Sequence, residues 1–245
     1  VKLKLDLHIH SEASSDGRMT AEEIINAARA AGLDGVAVTD HDKFFAPPEG
    51  FEPPEGFVLI PGTEFSTEYG HLLGLFLREP VKAKGFRAIA AEIRAQGGIA
   101  VMAHPFERAR DPERLLSVID ELDGIEVWNG RANRKNPEAN AMALALSRER
   151  GLPAFAGSDA HIAREVGNGF VTVEVGEPSL ESIKKALLTP GNQTGGREGR
   201  DIDVARSQLT ALKKRGGGLL KRLKWVLFAA KCLLCDILRP LRRRK

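Results

Sequence analysis

Asp6-Leu7-His8-Ile9-His10 sets a carboxylate and two imidazoles at alternate positions. On a strand, all three share one face, while Leu5, Leu7 and Ile9 take the other. Two imidazoles spaced this way can chelate one ion, and Asp6 is placed to orient one of them as a hydrogen-bond acceptor. Gly157-Ser158-Asp159-Ala160-His161 repeats the logic with Asp159 and His161. Further donors stand in Thr39-Asp40-His41-Asp42, in Gly62-Thr63-Glu64, at His71, in Ala103-His104-Pro105 and at Asp16. Each of these alone reads equally well as a polar strand edge or a surface turn. Their joint placement is what argues: all six histidines fall at the ends of strand-like segments or beside them. Mixed imidazole and carboxylate sets suit Mn, Zn or Fe rather than a Cys-rich structural site. The nine candidate ligands are His8, His10, Asp16, His41, Glu64, His71, His104, Asp159 and His161. That is too many for one ion, so two or three ions sharing a bridging carboxylate is the economical arrangement. Such an arrangement activates water and clamps a phosphoryl group.

The elements that must position these residues alternate along the chain. Strand patterns cover Val1–His10, Gly35–His41, Phe57–Ser66, His71–Leu77, Gly98–His104, Gly124–Trp128, Pro153–Ser158 and Phe170–Val175. Helical patterns cover Thr20–Ala31, Phe86–Gln96, Asp111–Leu122, Pro137–Arg150 and Ser179–Leu188. Thr20 and Glu23 form a capping box, Gly32 closes the first helix, and Ser179 caps the last. The proline-rich stretch Phe44–Gly56 reads as a loop, and Gly191–Gly199 as the end of the compact domain. Strands separated by helices imply mostly parallel pairing in an α/β fold. In a β/α barrel the ligand site lies at the C-terminal ends of the strands, where these histidines fall. No Gly-rich dinucleotide fingerprint and no phosphate-binding P-loop appears.

A chain of 245 residues with 42% hydrophobic and 28% charged residues suits one large domain. Its formal charge of +3 hides an asymmetry. Arg197–Lys245 holds 15 Lys and Arg against 4 Asp and Glu, a net of +11, which leaves −8 for residues 1–196. The division expected is therefore a barrel at 1–196 and a basic tail at 197–245. Within the tail, Leu219–Leu238 has helical periodicity, with a broad apolar face opposite Lys221, Arg222, Lys224, Lys231 and Asp236, and Pro240 ending it. Three readings compete for it: an interfacial helix on an anionic membrane, a helix docked on the barrel or a second subunit, or a nucleic-acid arm. Cys232 and Cys235, the only cysteines, lie in this helix and lack the second pair or nearby histidine a zinc site needs. A body free of cysteine, opening directly on a strand pattern, leads us to expect a cytoplasmic protein, peripheral at the inner membrane surface if the tail binds lipid.

The motifs taken in order resemble the PHP family, the polymerase and histidinol phosphatase superfamily. The matching segments are Asp6–His10 with Ser11 and Ser15-Asp16-Gly17; Thr39-Asp40-His41; Pro61-Gly62-Thr63-Glu64 with His71-Leu72-Leu73-Gly74; Ala103-His104-Pro105; and Gly157–His161. The resemblance covers about residues 3–190. It implies a distorted seven-stranded β/α barrel with a centre of two or three divalent ions. It also implies that His8, His10, Glu64 and Asp159 hold one ion, that Glu64 bridges to a second held by His71 and His104, and that Asp16, His41 and His161 hold a third. Many relatives carry His where this chain has Asp16. Catalytic work would fall to His8, His10, Glu64, Asp159 and His161, through a metal-bridging hydroxide attacking phosphorus in line.

Glu126-Val127-Trp128-Asn129-Gly130-Arg131 also resembles family sequences. Asn129 and Arg131 would lie at the barrel rim as substrate contacts, with Arg164 just past His161, and Arg134 and Lys135 as weaker candidates. The expected activity is hydrolysis of a small phosphorylated substrate, including a nucleotide or short oligonucleotide. The alternatives are a non-catalytic metal-binding module, a 5′–3′ exonuclease on short nucleic acid and, ranked last, an amide hydrolase, which would normally want a lysine bridge or another ligand order. Oligomeric state is not set by any of these features.

Overall fold

The computed structural model describes residues 1–47, 50–107, 112–216 and 218–242. In chain order the elements are β1 (Lys2–Ile9), α1 (Ala21–Ala30), β2 (Gly35–Val38), β3 (Val58–Thr67), β4 (Gly70–Leu75), α2 (Phe86–Ala95), β5 (Ile99–Met102), α3 (Pro112–Leu116), β6 (Gly124–Asn129), α4 (Ala139–Arg150), β7 (Ala154–Gly157), β8 (Gly169–Glu174), α5 (Leu180–Leu187), β9 (Gln193–Gly196), α6 (Asp201–Arg215) and α7 (Leu219–Arg242). The strands form one sheet in the order β7-β6-β5-β4-β3-β2-β1-β8-β9. β1, β2 and β3 run parallel, as do β5, β6 and β7, while β4 is antiparallel to both of its neighbours. These six strands therefore share one direction, and the start of β4 shares a rim with their C-terminal ends.

The sheet curls until it nearly closes. Past its last residue β7 meets β1: Asp159 N–H donates to His8 O at 2.8 Å, and His10 N–H to Ala160 O at 2.8 Å. Gly157 permits this approach, because a Cβ there would come within 2.2 Å of His8 Cβ. Leu5, Leu7, Leu73, Leu75, Val101 and Phe155 belong to one of the cores this curled sheet builds. A second core lies between the sheet and α2, α3 and α4, and a third under α1.

The sheet has nine strands, not the seven expected of the barrel. The N-terminal half of β1 pairs antiparallel with β8, Lys2 opposite Glu174 through Leu5 opposite Val171, and β9 pairs with β8. β9 lies inside the stretch Gly191–Gly199, read as the end of the compact domain. It consists of Gln193-Thr194-Gly195-Gly196, which carries no alternating apolar pattern. Gly196 is required there, with φ at +155° and a Cβ position 2.3 Å from the Trp128 indole nitrogen. The helix read over 111–122 is also shorter. α3 is followed by a single turn at Ile119–Glu121, and Asp111 lies outside the described residues. Its C-terminal carbonyls are taken by arginines of α2: Arg87 donates to Ser117 O and Arg94 to Glu121 O.

Two helices occupy the segment read as tail. α6 packs on the rim with Val204, Ala205 and Ser207 buried. Lys214 at its end donates to the carbonyls of Glu12, Ser14 and Gly17 at 2.7, 2.9 and 2.8 Å. An ammonium has three N–H bonds, so this lysine is fully committed to the loop that carries Asp16. α7 packs on α6. Trp225 donates to Ala205 O, and the Asp236 carboxylate caps α6 by accepting from the N–H groups of Asp201 and Ile202. α7 continues to Arg242, two residues beyond the proline expected to end it. Gly217 and Arg243–Lys245, also part of that reading, lie outside the described residues, as do Pro48 and Glu49 of the proline-rich loop. Among the described residues, no helix is long and apolar enough to cross a membrane.

Candidate metal centre

All nine candidate ligands meet at the rim formed by the C-terminal strand ends. His8 lies in β1 and His10 just past it; His41 follows β2; Glu64 lies within β3, bridged to His41; His71 opens β4; His104 follows β5; Asp159 and His161 follow β7. Asp16 comes from the loop after β1 that Lys214 clasps. His104 and Asp159 adopt left-handed backbone, with φ of 27° and 55°. Such conformations cost on the order of 1–3 kcal/mol in non-glycine residues and collect at functional sites.

The hydrogen bonds fix which ring nitrogens face the centre. His8 Nδ1 lies 2.9 Å from Glu126 Oε1, and an ionised carboxylate only accepts, so Nδ1 carries the hydrogen. His10 Nδ1 lies 3.2 Å from Ser14 Oγ, whose own hydrogen goes to Asp40 Oδ1 at 2.6 Å. Ser14 must therefore accept from His10 Nδ1–H. That leaves the Nε2 atoms of His8 and His10 facing each other at 3.2 Å. In the neutral tautomers this is lone pair against lone pair, an approach that needs a proton or a cation between them. Glu64 Oε2 completes the picture. It is buried, 3.5 Å from His8 Nε2, 3.4 Å from His10 Nε2 and at ion-pair distance, 2.8 Å, from His41 Nδ1, yet it accepts no well-aligned hydrogen bond. Buried carboxylate oxygens without a partner are rare and call for an explanation such as an ion.

Asp159 Oδ1 lies 3.3 Å from His10 Nε2 and 3.8 Å from His8 Nε2. Donors around a tetrahedral ion bound at about 2.0–2.1 Å stand roughly 3.3–3.4 Å apart. His8, His10 and Asp159 stand at or near this spacing, and Glu64 Oε2 lies at a similar distance from both imidazoles. On the other side of Glu64, Oε1 lies 2.7 Å from His71 Nδ1 and 3.0 Å from His104 Nε2. Asp16 lies 3.3 Å from His161 Nε2 and 3.8 Å from His41 Nε2, and its Oδ1 is a second buried oxygen without a hydrogen bond. Three groups can hold an ion by proximity: His8, His10 and Asp159; His8, Glu64 and His104; and His10, His41 and His161. The donor chemistry fits divalent transition metals.

Charge is balanced within this cluster. Burial penalises every ionised group, but the carboxylates and imidazoles offset it for one another. Glu64 and Asp159 are held well below the ordinary carboxylate range by the histidines around them, and Asp16 is lowered by His161, His41 and His10. Burial also acts against the charged form of His8, yet Glu126, Glu64 and Asp159 keep it well above the usual imidazole value. His41 and His104 are raised to about 9 against their burial, chiefly by Glu64. His10, buried beside His161 and His41, is pushed well below the usual value.

The expected substrate contacts are tied into the chain's own hydrogen bonds. Arg131 follows the C-terminal end of β6. Its side chain is 10% exposed, and its Nε and Nη2 donate to Glu165 at 2.8 and 2.6 Å; Glu165 in turn accepts from the His161 N–H. Asn129 is buried, donating to Glu126 Oε2 at 3.0 Å and reaching Asp159 Oδ2 at 3.5 Å. Through these bonds Asn129 braces Asp159 and Glu126, and Arg131 braces the His161 backbone by way of Glu165. Arg164 is half exposed, 3.6 Å from Asp203. Arg134 faces Asp201 at 4.0 Å, and Lys135 pairs with Glu107. Asp6 does not orient an imidazole. Its carboxylate accepts from the backbone N–H groups of Ser158 and Gly167, fastening β1 to the segments after β7, and burial raises it to about 6.

Sequence reasoning missed Glu126, Ser14 and Lys214. Glu126 had a readable signal, a carboxylate in the otherwise apolar strand Gly124-Ile125-Glu126-Val127-Trp128. Beside His41 opens a cleft of about 400 Å³ lined by Glu12, Ser14, Lys43, Lys214 and Arg215.

Comparison with known proteins agrees with this geometry. Residues 6–91 match the PHP domain, and residues 137–189 match a PHP-associated segment. An uncharacterised protein of Methanocaldococcus jannaschii is 32% identical over 157 residues, which cover 58% of this chain and 90% of that one. The chain belongs to the PHP family. Among solved structures, a two-domain protein of Bacteroides vulgatus containing a predicted PHP-like metal-dependent phosphoesterase superposes with a TM-score of 0.63 at 23% identity, covering 86% of this chain and 70% of that one. The lesion-specific endonuclease PfuEndoQ of Pyrococcus furiosus superposes with a TM-score of 0.60 at 21% identity, covering 82% and 60%. At these identities the likeness is one of fold.

Proposed function

We propose that this chain hydrolyses phosphoesters of small phosphorylated molecules, nucleotides among them, with His8, His10, Asp16, His41, Glu64, His71, His104, Asp159 and His161 holding two or three Mn, Zn or Fe ions. The observation that carries the reading is the buried Glu64 Oε2, which accepts no well-aligned hydrogen bond though three imidazole nitrogens surround it. When bound, such ions lower the pKa of water and neutralise charge on phosphoryl oxygens. The residues of the chain hold the donors still. Glu126 and Ser14 keep the Nδ1 hydrogens of His8 and His10 turned away from the centre, and Lys214 holds the Asp16 loop. His161, its Nδ1 donating to Asp159 O at 2.9 Å, presents Nε2 beside Asp16, where it can ligate or pass a proton to the leaving oxygen. Lys43 and Arg215 give the adjoining cleft the positive charge a phosphorylated ligand needs.

The same cleft favours a second reading, cleavage of phosphodiesters in nucleic acid, as the fold shared with a lesion-specific endonuclease also does. Hydrolysis of paired chromogenic mono- and diesters by metal-stripped and Mn-reconstituted protein tests both. Metal-dependent release from the monoester supports the phosphatase, and preference for the diester supports the nuclease reading. No release from either by metal-loaded protein would refute hydrolysis of simple phosphoesters and favour a non-catalytic metal module.

A further inference from the structure

α7 offers its apolar face to solvent. Leu220, Leu223, Val226, Leu227, Leu234 and Ile237 are each more than half exposed. Projected at ~100° per residue, they fall within a sector of about 120°. The contacts that hold α7 on α6 come from the opposite side of the helix, through Trp225, buried Cys232 and Asp236. Lys224 and Lys231 border the apolar stripe on one edge and Arg222 on the other, all exposed. The single acidic residue of the helix, Asp236, is turned inward onto α6. The stripe is therefore continuous, bordered by cations and free of negative charge. A monomer rarely exposes such a patch without a partner.

We propose that α7 is an interfacial helix that lays this stripe on an anionic lipid surface, with the barrel held on the far side of α6. Leucines would enter the acyl boundary while the bordering lysines and arginine reach the headgroups. Charge selects this occupant. A second copy would bring a cation-bordered stripe against its equal, and a phosphate polymer would leave the leucines in water. Among the described residues no helix is long and apolar enough to cross a membrane, so α7 would lie on a bilayer and not span it. None of the stripe residues belongs to the metal centre, so this proposal stands whether or not the hydrolase reading does.

Co-sedimentation of the full chain with vesicles tests it. The expected result is binding to phosphatidylcholine–phosphatidylglycerol vesicles, weak binding to phosphatidylcholine alone, and loss of binding as salt screens the lipid charge. Lys224→Gln with Lys231→Gln should weaken partition about 25-fold, roughly fivefold per lysine. Leu223→Gln, Leu227→Gln and Leu234→Gln together should weaken it about 100-fold or more, with the helical circular-dichroism signal and metal content unchanged. Absence of binding by the unmodified chain would overturn the proposal, as would binding that survives the triple change. A dimer abolished by the triple change would replace the lipid surface with a second copy. Duplex DNA binding sensitive only to the lysines would replace it with nucleic acid.

Discussion

Glu126→Gln tests how the centre is held without touching a ligand. One carboxylate serves three donors: Oε1 accepts from His8 Nδ1 at 2.9 Å, and Oε2 accepts from the His104 N–H at 2.8 Å and from Asn129 Nδ2 at 3.0 Å. Glutamine has one acceptor oxygen and an NH₂ group, so at least one buried donor loses its acceptor and faces the NH₂ group instead. Losing a buried hydrogen bond to a charged group costs about 1.5–3 kcal/mol. The negative charge that favours the His8 Nδ1–H tautomer also disappears, freeing the ring to turn its lone pair away. Partners of this kind typically contribute 10–100-fold in metal affinity or activity. We expect Mn affinity, measured by calorimetry on stripped protein, to fall within that range, and hydrolysis at limiting Mn to fall with it and recover partly at saturating metal. Affinity and activity within twofold of the unmodified protein would refute the tautomer argument.

Metal uptake should release protons, because His41 and His104 are raised to about 9 and His8 is held well above its usual value in the ion-free chain. Affinity should rise with pH through about 9, where His41 and His104 lose their protons, and calorimetry in buffers of different ionisation enthalpy would reveal no proton release if the account is wrong. Lys214→Ala should weaken ion binding at Asp16, His41 and His161 about 10–100-fold, leave the His8, His10, Glu64 and Asp159 set near its original affinity, and respond to added potassium or ammonium; uniform loss at every site would contradict the clasp. Arg131→Ala should cost about 3–5 kcal/mol in urea unfolding, because Glu165 is left buried and uncompensated. A loss under about 1 kcal/mol would contradict the buried pairing.

The candidate ligands were legible in the sequence because a strand's period of two puts His8 and His10, or Asp159 and His161, at one rim by local geometry alone. Glu126 was not, since its partner His8 is 118 residues away and only β-sheet order brings them together. The pairing of Arg131 with Glu165 was not legible either, since the two are 34 residues apart and become neighbours only through the fold. β9 escaped because its pairing is made by backbone and its glycines carry no pattern. α6 escaped because it docks through Val204, Ala205 and Ser207, too few apolar residues to mark a face. The amphipathic period of α7 was readable, but periodicity separates two faces without saying which one is covered, and here Trp225, Cys232 and Asp236 cover the other.

The most direct test of the central claim is a count of bound metal. After equilibrium dialysis against Mn, the unmodified chain should carry two or three ions, and Glu64→Ala should lose at least one and with it all metal-dependent hydrolysis. An unmodified chain that binds none, or a Glu64→Ala chain with full occupancy and turnover, would contradict the account.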